Sequence, residues 1–594
     1  MNSCTEGIWR ETLQRTRQTL KLDDGLVNLG RPGHTAEGSL AAEAHEGRAT
    51  AAYYAVATAL GELPKAEGLA ILQAIAELQI KDDESEFRGG FRWYREETRV
   101  NDSNAAFFIL MPLVTLSLHL EDRIPTAHLP LLNRMLDGGA DWFAHELREP
   151  ILYYPNKIMS DGALLLGISR LRGLRDHYEA GVRFYTKWAD YTARRGWGWG
   201  ENASLTYIQI MLNALQIACR SLEEKDAALR ARLQDVMKEL LAYVRFHDGY
   251  EWVPSIRSYN FEGQVHPWSF LWSLAGVQRE EWAAEKTLGD LWSVGSYLLF
   301  EKELAAVQDS EPIAQPVPRS RTERIMDDSA ATTWVGRTGR IGSVNRFPVI
   351  AGSYQWPTWG LAWQSYPVSL AVDGEQVAFL RWHVHDGDKV RLHPAAYKNA
   401  YLSPALFRES WYPDTQLRAA QKQHMLLAVR SMSEVHNQAG EIADEWVVHR
   451  WQGELTVAMD GGGRTWTVLQ YPQAAVCIAP LQGIRCGELE RKAQQLEPVQ
   501  DGDVLRLRQV LYAGKVQTIH QPRLEAGWAI LYLDEAGDLA RVREELKSYR
   551  LQESSYIDGE VPRTSYTEIR RTVLYHQERK QVELTIDPHR MEAP

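Results

Sequence analysis

The sequence predicts a multidomain chain in which a helical N-terminal half is followed by a C-terminal half of antiparallel β-strands. The chain has 594 residues, more than one ordinary hydrophobic core accommodates. Apolar residues recur every three or four positions as far as residue 307, and they alternate with polar residues beyond residue 325. Hydrophobic residues make up 44% of the chain and charged residues 24%, which is typical of globular proteins.

The N-terminal half contains about ten segments with the apolar spacing of amphipathic helices. Glycine and proline separate them, for example at Gly61, Pro64 and Pro125. Because no strand pattern lies between the segments, they favour a helical bundle, a solenoid or an α/α toroid. The predicted helices cover residues 41–61, 65–80, 104–120, 126–147, 160–175, 177–194, 203–221, 226–246, 264–277 and 280–307.

The C-terminal half has a period of two, with Asp-Gly and glycine turns between its segments. This pattern, seen for example over 369–384 and 424–435, predicts an antiparallel β-sandwich or stacked sheets. A proline-rich polar stretch before it has the composition of a linker. The predicted organisation is a helical catalytic domain over 1–307, a linker over 308–325 and a β-domain over 326–594.

Charge and cysteine content exclude several classes of protein. The net charge of −12 argues against a nucleic-acid partner, which requires a basic surface. The four cysteines lack metal-binding spacing, and they indicate free thiols in a reducing compartment. The N-terminus lacks signal-peptide features and no run of 18 apolar residues occurs, so we expect a cytoplasmic protein without a membrane partner. The sequence gives no indication of an oligomeric state.

The aromatic content points to carbohydrate binding. The chain has 21 tryptophans and 25 tyrosines. Tryptophan faces pack against sugar rings and the indole N–H bonds hydroxyl groups, although core packing explains many single tryptophans equally well. The clusters Trp197–Trp199 and Trp356–Trp359 are the strongest candidates for sugar contacts.

Four stretches rich in polar and aromatic residues interrupt the helical pattern near predicted helix ends, where functional sites are commonly built. Each also has a structural interpretation, as a solvated loop, as packed tyrosines or as a helix cap. They are 88–104, which contains Arg92, Trp93 and Asn104; 153–157, which contains Asn156; 196–207, which contains Trp197, Trp199 and Asn202; and 247–268, which contains Arg257, Tyr259, Glu262 and His266.

These stretches resemble, in order and spacing, motifs of polysaccharide lyases of the hyaluronate/chondroitin AC type and of the heparinase II/III group. Arg92-Trp93-Tyr94 resembles their tryptophan-rich patch, and Gly200-Glu201-Asn202-Ala203 resembles the stretch that carries their catalytic asparagine. Residues 246–250 and 258–263 resemble their Asp-Gly and Tyr-x-Gly segments. The resemblance implies an incomplete α/α toroid followed by an antiparallel β-sandwich, and an anionic oligosaccharide or polysaccharide as partner.

The implied reaction is β-elimination at a uronic acid. The C5 proton is removed only if the neighbouring carboxylate is neutralised, a role that the resemblance assigns to Asn202, together with Arg257. Tyr259 and His266 are the candidate base and acid, because Val253 and Pro254 occupy the position where the family has its histidine. The candidate substrate-binding residues are Arg92, Trp93, Asn104, Asn156, Trp197, Trp199, Glu262 and Trp356.

Three alternatives remain open at this stage. No cofactor is expected, but His383 and His385 point to one face of a strand and form a weak candidate site for a structural divalent metal in the β-domain. A glycoside hydrolase would need a pair of carboxyl groups, and a glycan-binding protein would need no catalysis at all. The available carboxyl groups are Asp102, Asp161, Glu201, Glu251 and Glu262.

Overall fold

The structure of the chain is a computed structural model, and it divides into two compact units. It describes residues 3–30, 43–247, 252–257, 291–297, 316–348, 365–372, 376–386, 389–390, 414–435, 438–519 and 521–588. The helical unit comprises Met1–Arg195, Tyr207–Gly249 and Pro267–Ile313, and the strand unit comprises Gly196–Thr206, Tyr250–His266 and Ala314–Pro594. The strand unit therefore takes in two short stretches from the helical half of the sequence.

The helical unit alternates buried and amphipathic helices. Its described helices are α1 (Ser3–Thr19), α2 (Gly47–Ala59), α3 (Lys65–Leu78), α4 (Ala105–Leu120), α5 (Leu129–Glu146), α6 (Pro155–Arg172), α7 (Arg175–Arg195), α8 (Leu205–Ser221), α9 (Ala227–His247) and α10 (Leu291–Tyr297). Helices α2, α4 and α6 are buried almost throughout, whereas α5 and α7 bury one face only. Each of these buried helices packs against an amphipathic neighbour and against the next buried helix, an arrangement of two helical layers like that of an α/α toroid.

The most apolar helix of the described chain is α4. Together with the turn that follows it, over Ala105–Arg123, it is long and apolar enough to cross a membrane by length and composition alone. Its most apolar window is 67% buried inside the protein. Because the core helix of a globular domain has the same properties, the burial accounts for this apolar sequence.

Two large antiparallel sheets form the strand unit. The nine-stranded sheet has the order β16-β17-β12-β8-β7-β6-β5-β4, with β9 paired to β8, and the six-stranded sheet has the order β10-β11-β18-β15-β14-β13. The nine-stranded sheet contains β4 (Arg319–Met326), β5 (Ser329–Val335), β6 (Gly339–Val344), β7 (Val368–Val372), β8 (Gln376–Asp386), β9 (Lys389–Val390), β12 (Gln438–Val448), β16 (Glu497–Asp501) and β17 (Val504–Thr518). The six-stranded sheet contains β10 (Asp414–Lys422), β11 (Met425–Val435), β13 (Glu454–Met459), β14 (Thr465–Gln470), β15 (Ala475–Ile484) and β18 (Gln521–Leu533).

A shared hydrophobic cluster joins the two large sheets face to face. It includes Trp382 and Ile442 from the nine-stranded sheet, and Met432 and Leu524 from the six-stranded sheet. A second cluster packs the six-stranded sheet against α11 (Leu539–Leu546) and a sheet of β19 (Tyr549–Tyr556), β20 (Ile569–His576) and β21 (Arg579–Ile586). The predicted fold class, helices followed by an antiparallel sandwich, is confirmed. A small additional sheet, β1 (Leu22–Asp23), β2 (Leu26–Asn28) and β3 (His45–Glu46), lies in the helical unit.

Two local predictions were wrong. Residues 319–325 of the predicted linker form most of strand β4, where polar side chains alternate between partly buried and exposed positions as far as Arg324, and Ile325 is buried. Helix α6 begins at Pro155 and not at Ser160, because a proline at the first helical position lacks only an N–H that would have no partner there. The Ser160 hydroxyl instead donates to the Asn156 carbonyl oxygen within the helix.

Candidate active site

The Gly196–Thr206 segment is fixed to strand β4 by its backbone. The Trp197 N–H donates to the Ile325 carbonyl oxygen at 2.5 Å, and Gly196 forms an antiparallel bridge with Met326. Gly196 has a φ of +99°, and a Cβ atom there would lie 2.5 Å from the Ile325 carbonyl oxygen. The glycine therefore permits a close approach of two backbone segments.

Replacing Gly196 with alanine should destabilise the strand unit. The positive φ and the contact with Ile325 both oppose a side chain, so we expect a loss of about 2 kcal/mol or more in the free energy of unfolding. Gly463→Ala is the matched control, because Gly463 also has a positive φ, of +82°, but nothing lies within 4 Å of a Cβ there. Denaturant unfolding of both variants measures the difference, and equal losses would contradict the importance of the contact.

Asn202 lies on a short 3-10 turn, Glu201–Ala203, that follows the glycines, and its side chain is held in a defined orientation. Its Nδ2 donates to the Arg324 carbonyl oxygen at 3.0 Å, and only 3% of the residue is exposed. Because a carbonyl oxygen only accepts, this bond fixes which end of the amide faces β4. Its Oδ1 is buried and has no hydrogen-bond partner in the structure. One N–H of the amide is thus used to fix the side chain. The second N–H and the oxygen Oδ1 can bond a ligand.

Arg257 is the second predicted catalytic residue that the structure describes, and it pairs with Glu201. The guanidinium group bonds the Glu201 carboxylate, and it lies over the Trp199 ring at 5.1 Å from the ring centroid. Glu201 is fully buried and Arg257 is 3% exposed. Sequence reasoning named both residues but missed their pairing, since 56 positions separate them.

The backbone around Arg257 is tied down on both sides. Its backbone N–H donates to the Ser365 hydroxyl oxygen at 3.0 Å, and its carbonyl oxygen accepts from the Ser204 hydroxyl at 3.3 Å. Arg257 has a φ of +49°, in the left-handed region that non-glycine residues rarely adopt. These bonds hold the Arg257 segment next to the Asn202 turn, as does a bond from the Ile256 N–H to the Ala203 carbonyl oxygen at 3.2 Å. The structure therefore brings Trp199, Asn202 and Arg257 together.

Four predicted site residues lie outside the described residues: Tyr259, Glu262, His266 and Trp356. Their proposed roles therefore remain predictions. Trp197 and Trp199 are 8% and 2% exposed, so each ring is enclosed by the protein rather than presented to solvent. The Trp199 ring contacts Arg257, and this contact gives it a structural function.

Four predicted binding residues belong to the helical unit. Asn104 and Asn156 lie at the N-terminal ends of buried helices, and Trp93 contacts the loop before α4. Asn104 is the residue before α4, and its Nδ2 donates to the Tyr154 hydroxyl at 3.1 Å. The Oδ1 of Asn104 has no hydrogen-bond partner in the structure. The Trp93 indole N–H donates to Asp102 at 3.2 Å, and Trp93 is 1% exposed. Asn156, in the first turn of α6, is also 1% exposed.

Arg92 stabilises its own loop. Its guanidinium group donates to the carbonyl oxygens of Glu77, Arg95 and Glu97, at 2.9, 3.2 and 2.7 Å. These three acceptors occupy the planar fork that would otherwise face a sugar carboxylate. In this structure Arg92 closes its loop, and its predicted contact with substrate stays a prediction.

A buried ion cluster on α5 and α6 was not foreseen, although the four-residue spacing of Lys157 and Asp161 on a helix was a signal for it. The Lys157 Nζ lies 2.6 Å from Glu146 and 2.6 Å from Asp161. The Asp161 side chain is 1% exposed and its Oδ1 has no hydrogen-bond partner in the structure. Burial raises the pKa of Asp161 to about 7, against the opposing effect of Lys157, and Glu146 adds to the rise.

This pKa predicts a pH-dependent stability. Between an ordinary aspartate pKa of 3.8 and the folded value of about 7, the folded chain retains a proton that the unfolded chain has released. The stability contributed by Asp161 therefore falls as the pH rises through this range, by on the order of a few kcal/mol, and is constant above it. Asp161→Asn should flatten this slope in unfolding measured across these pH values. Asp235→Asn, at a 70% exposed side chain, should leave the slope unchanged.

The predicted histidine pair lies on strand β8. The His383 Nε2 is 3.6 Å from Glu441 and its Nδ1 is 3.9 Å from Glu445, and burial lowers its pKa. The side chain of His385 is outside the described residues. Among the described residues, no group of three or more His, Cys, Asp or Glu side chains could hold a metal ion. A metal at this position therefore stays a prediction.

The fold is similar to that of polysaccharide lyases of known structure. The crystal structure of heparinase III superposes with a TM-score of 0.50 and 8% identity, over 99% of this chain and 91% of that chain. The chondroitin AC lyase of Streptomyces coelicolor A3, in complex with chondroitin sulphate, has a TM-score of 0.45 and 11% identity, over 97% and 85% of the two chains. No family model matches the sequence, and no curated protein matches it. The chain thus has a polysaccharide-lyase-like fold.

Proposed function

We propose that the protein is a lyase that cleaves a uronic-acid-containing glycan by β-elimination. The observation that carries this proposal is the likeness of fold to heparinase III, which extends over 99% of the chain. Since the likeness concerns the fold alone, the reaction is argued from the residues. We further propose exo action on imported anionic oligosaccharides and a cytoplasmic location.

Asn202 is the proposed ligand of the substrate carboxylate. Its Nδ2 is fixed by the Arg324 carbonyl oxygen, and its second N–H is available to a carboxylate oxygen. A hydrogen bond there stabilises the charge that develops on the carboxylate when C5 loses its proton. Because the amide is already oriented and buried, it need not reorganise during the reaction.

Arg257 is the proposed positioning residue of the site. Its guanidinium group bonds Glu201 and lies over Trp199, two residues that flank Asn202 closely in the chain. The pairing secures the turn that carries Asn202. We therefore assign to Arg257 a supporting function rather than direct neutralisation of the substrate.

Tyr259 and His266 are the proposed base and acid. An unperturbed tyrosine has a pKa of about 10, so a nearby positive charge is required for it to accept the C5 proton. The second group then protonates the leaving O4 oxygen. Arg257 is two residues from Tyr259 in the sequence, but the Glu201 carboxylate balances its charge, so we propose the protonated form of His266 as the source. An active Tyr259→Phe variant would exclude Tyr259 as the base.

The test is a panel of uronate-containing oligosaccharides from hyaluronan, chondroitin, heparan, alginate, glucuronan and xanthan. The unsaturated uronate that elimination forms absorbs in the ultraviolet, and we expect this absorbance to rise with at least one member. New reducing ends without the absorbance would instead indicate hydrolysis, for which Asp102, Glu201 and Glu262 are the candidate carboxyl groups. Binding without either product would indicate a glycan-binding protein.

A further inference from the structure

The helical unit contains a cavity of about 600 Å³ that no role described above uses. It lies among the end of α1, strand β2, the first turn of α2 and the start of α10. Its volume is within the range of small-ligand sites. The lining residues that bear on its chemistry are Lys21, Asn28, Glu43, Glu46, Arg48 and Trp292.

Arg48 is held in a fixed position at the wall of this cavity. Its guanidinium carbon is 4.9 Å from the centroid of the Phe108 ring and 4.9 Å from that of the Trp292 ring. The two rings are themselves 5.0 Å apart, and the Trp292 indole N–H donates to the Phe108 carbonyl oxygen at 2.8 Å. An arginine ordered in this way loses little side-chain entropy when it binds an anion.

Two cations and two carboxylates line the cavity, and the cations lie where an anionic group could meet Arg48. Arg48 is in the first turn of α2, where the helix dipole is positive, and Lys21 adds a second cation. The Glu46 carboxylate accepts from the Ala49 N–H at 3.1 Å and so caps the helix. Glu43, Asn28 and the hydroxyl of Thr19 line the remaining surface with groups suited to hydroxyls.

We infer that this cavity binds a single acidic sugar residue, whose carboxylate or sulfate group pairs with Arg48 while its hydroxyls bond the polar lining. The choice of an acidic sugar as ligand rests on the proposed function. The cavity and the position of Arg48 are observed independently of it. The site holds one residue of an anionic glycan in the helical unit, and its occupancy requires no catalysis.

Calorimetric titration of the full chain with D-glucuronate tests the inference, with D-glucose as the neutral comparison. Free glucuronate has no glycosidic bond at O4, so it cannot be eliminated, and its binding is independent of lyase activity. We expect glucuronate to bind at least about tenfold more tightly than glucose, and Arg48→Gln to remove that preference. Arg175→Gln is the matched control, at a surface arginine whose side chain is 58% exposed.

A second variant keeps the test decisive if Arg48→Gln fails to fold. Thr19 is an exposed residue that lines the cavity, so Thr19→Trp should obstruct it and abolish glucuronate binding without disturbing the packed helices. Equal binding of glucose and glucuronate, or binding that survives both variants, would overturn the inference, as would an absence of binding. Glucuronate binding by a chain without lyase activity would support the inference while contradicting the proposed function.

Discussion

Replacing Asn202 with alanine is expected to lower the turnover rate of the proposed lyase by about 100- to 1000-fold, with a smaller effect on KM. This is the usual loss when a preorganised hydrogen-bond donor to developing charge is removed. The physical reason is the fixed Nδ2, whose bond to the Arg324 carbonyl oxygen orients the remaining N–H. The initial rate of ultraviolet absorbance on the responsive oligosaccharide is the measurement.

Asn213→Ala is the control for this prediction. Asn213 is a fully buried asparagine on α8 whose two amide atoms have no hydrogen-bond partner in the structure, so its replacement tests the loss of a buried amide as such. We expect it to retain activity. A folded Asn202→Ala protein that turned over substrate at the normal rate would remove Asn202 from the reaction.

Replacing Glu201 with glutamine should destabilise the strand unit by about 3–5 kcal/mol, the usual cost of removing one partner of a buried ion pair. Glu201 is fully buried and Arg257 is 3% exposed, so the remaining guanidinium group loses its carboxylate partner where water has little access. Denaturant unfolding measures the loss. Activity should fall with it, because the pair secures the turn of Asn202.

An exposed pair provides the comparison. Asp190 and Arg232 lie 2.7 Å apart with side chains that are 63% and 43% exposed, and we expect Asp190→Asn to change stability by roughly 0.5 kcal/mol or less. A similarly small effect of Glu201→Gln would show that the buried pair has no special weight. Loss of activity without loss of stability would instead place Glu201 in direct contact with the reacting groups.

The periodic parts of the fold were predictable from the sequence, because local patterns record which face of an element is buried. The alternation in β21, for example, is visible in the letters from Gln581 to Ile586, where Val582, Leu584 and Ile586 are buried. The pairings that build the candidate site are not local. Asn202 meets Arg324 across 122 positions, and no pattern in either segment indicates the other.

The tryptophans show a second limit of sequence reasoning. Trp93 and Trp199 occur in polar stretches that suggest sugar contacts, yet they are 1% and 2% exposed. Large aromatic rings contribute most to stability when buried, and a single sequence does not distinguish this use from ligand binding. One face of the Trp199 ring contacts Arg257, which again comes from a distant segment.

The strand unit combines segments that are far apart in the chain, and this determines when the candidate site can fold during synthesis. Gly196–Thr206 leaves the ribosome well before Arg324 and Ile325, whose carbonyl oxygens anchor it. Domains generally fold as units as the chain is made. The Asn202 turn must therefore wait for the C-terminal half of the polypeptide, which contains both anchors. A nascent or prematurely terminated chain would carry every proposed catalytic residue and still lack a formed centre, which would limit reaction with substrate to finished molecules.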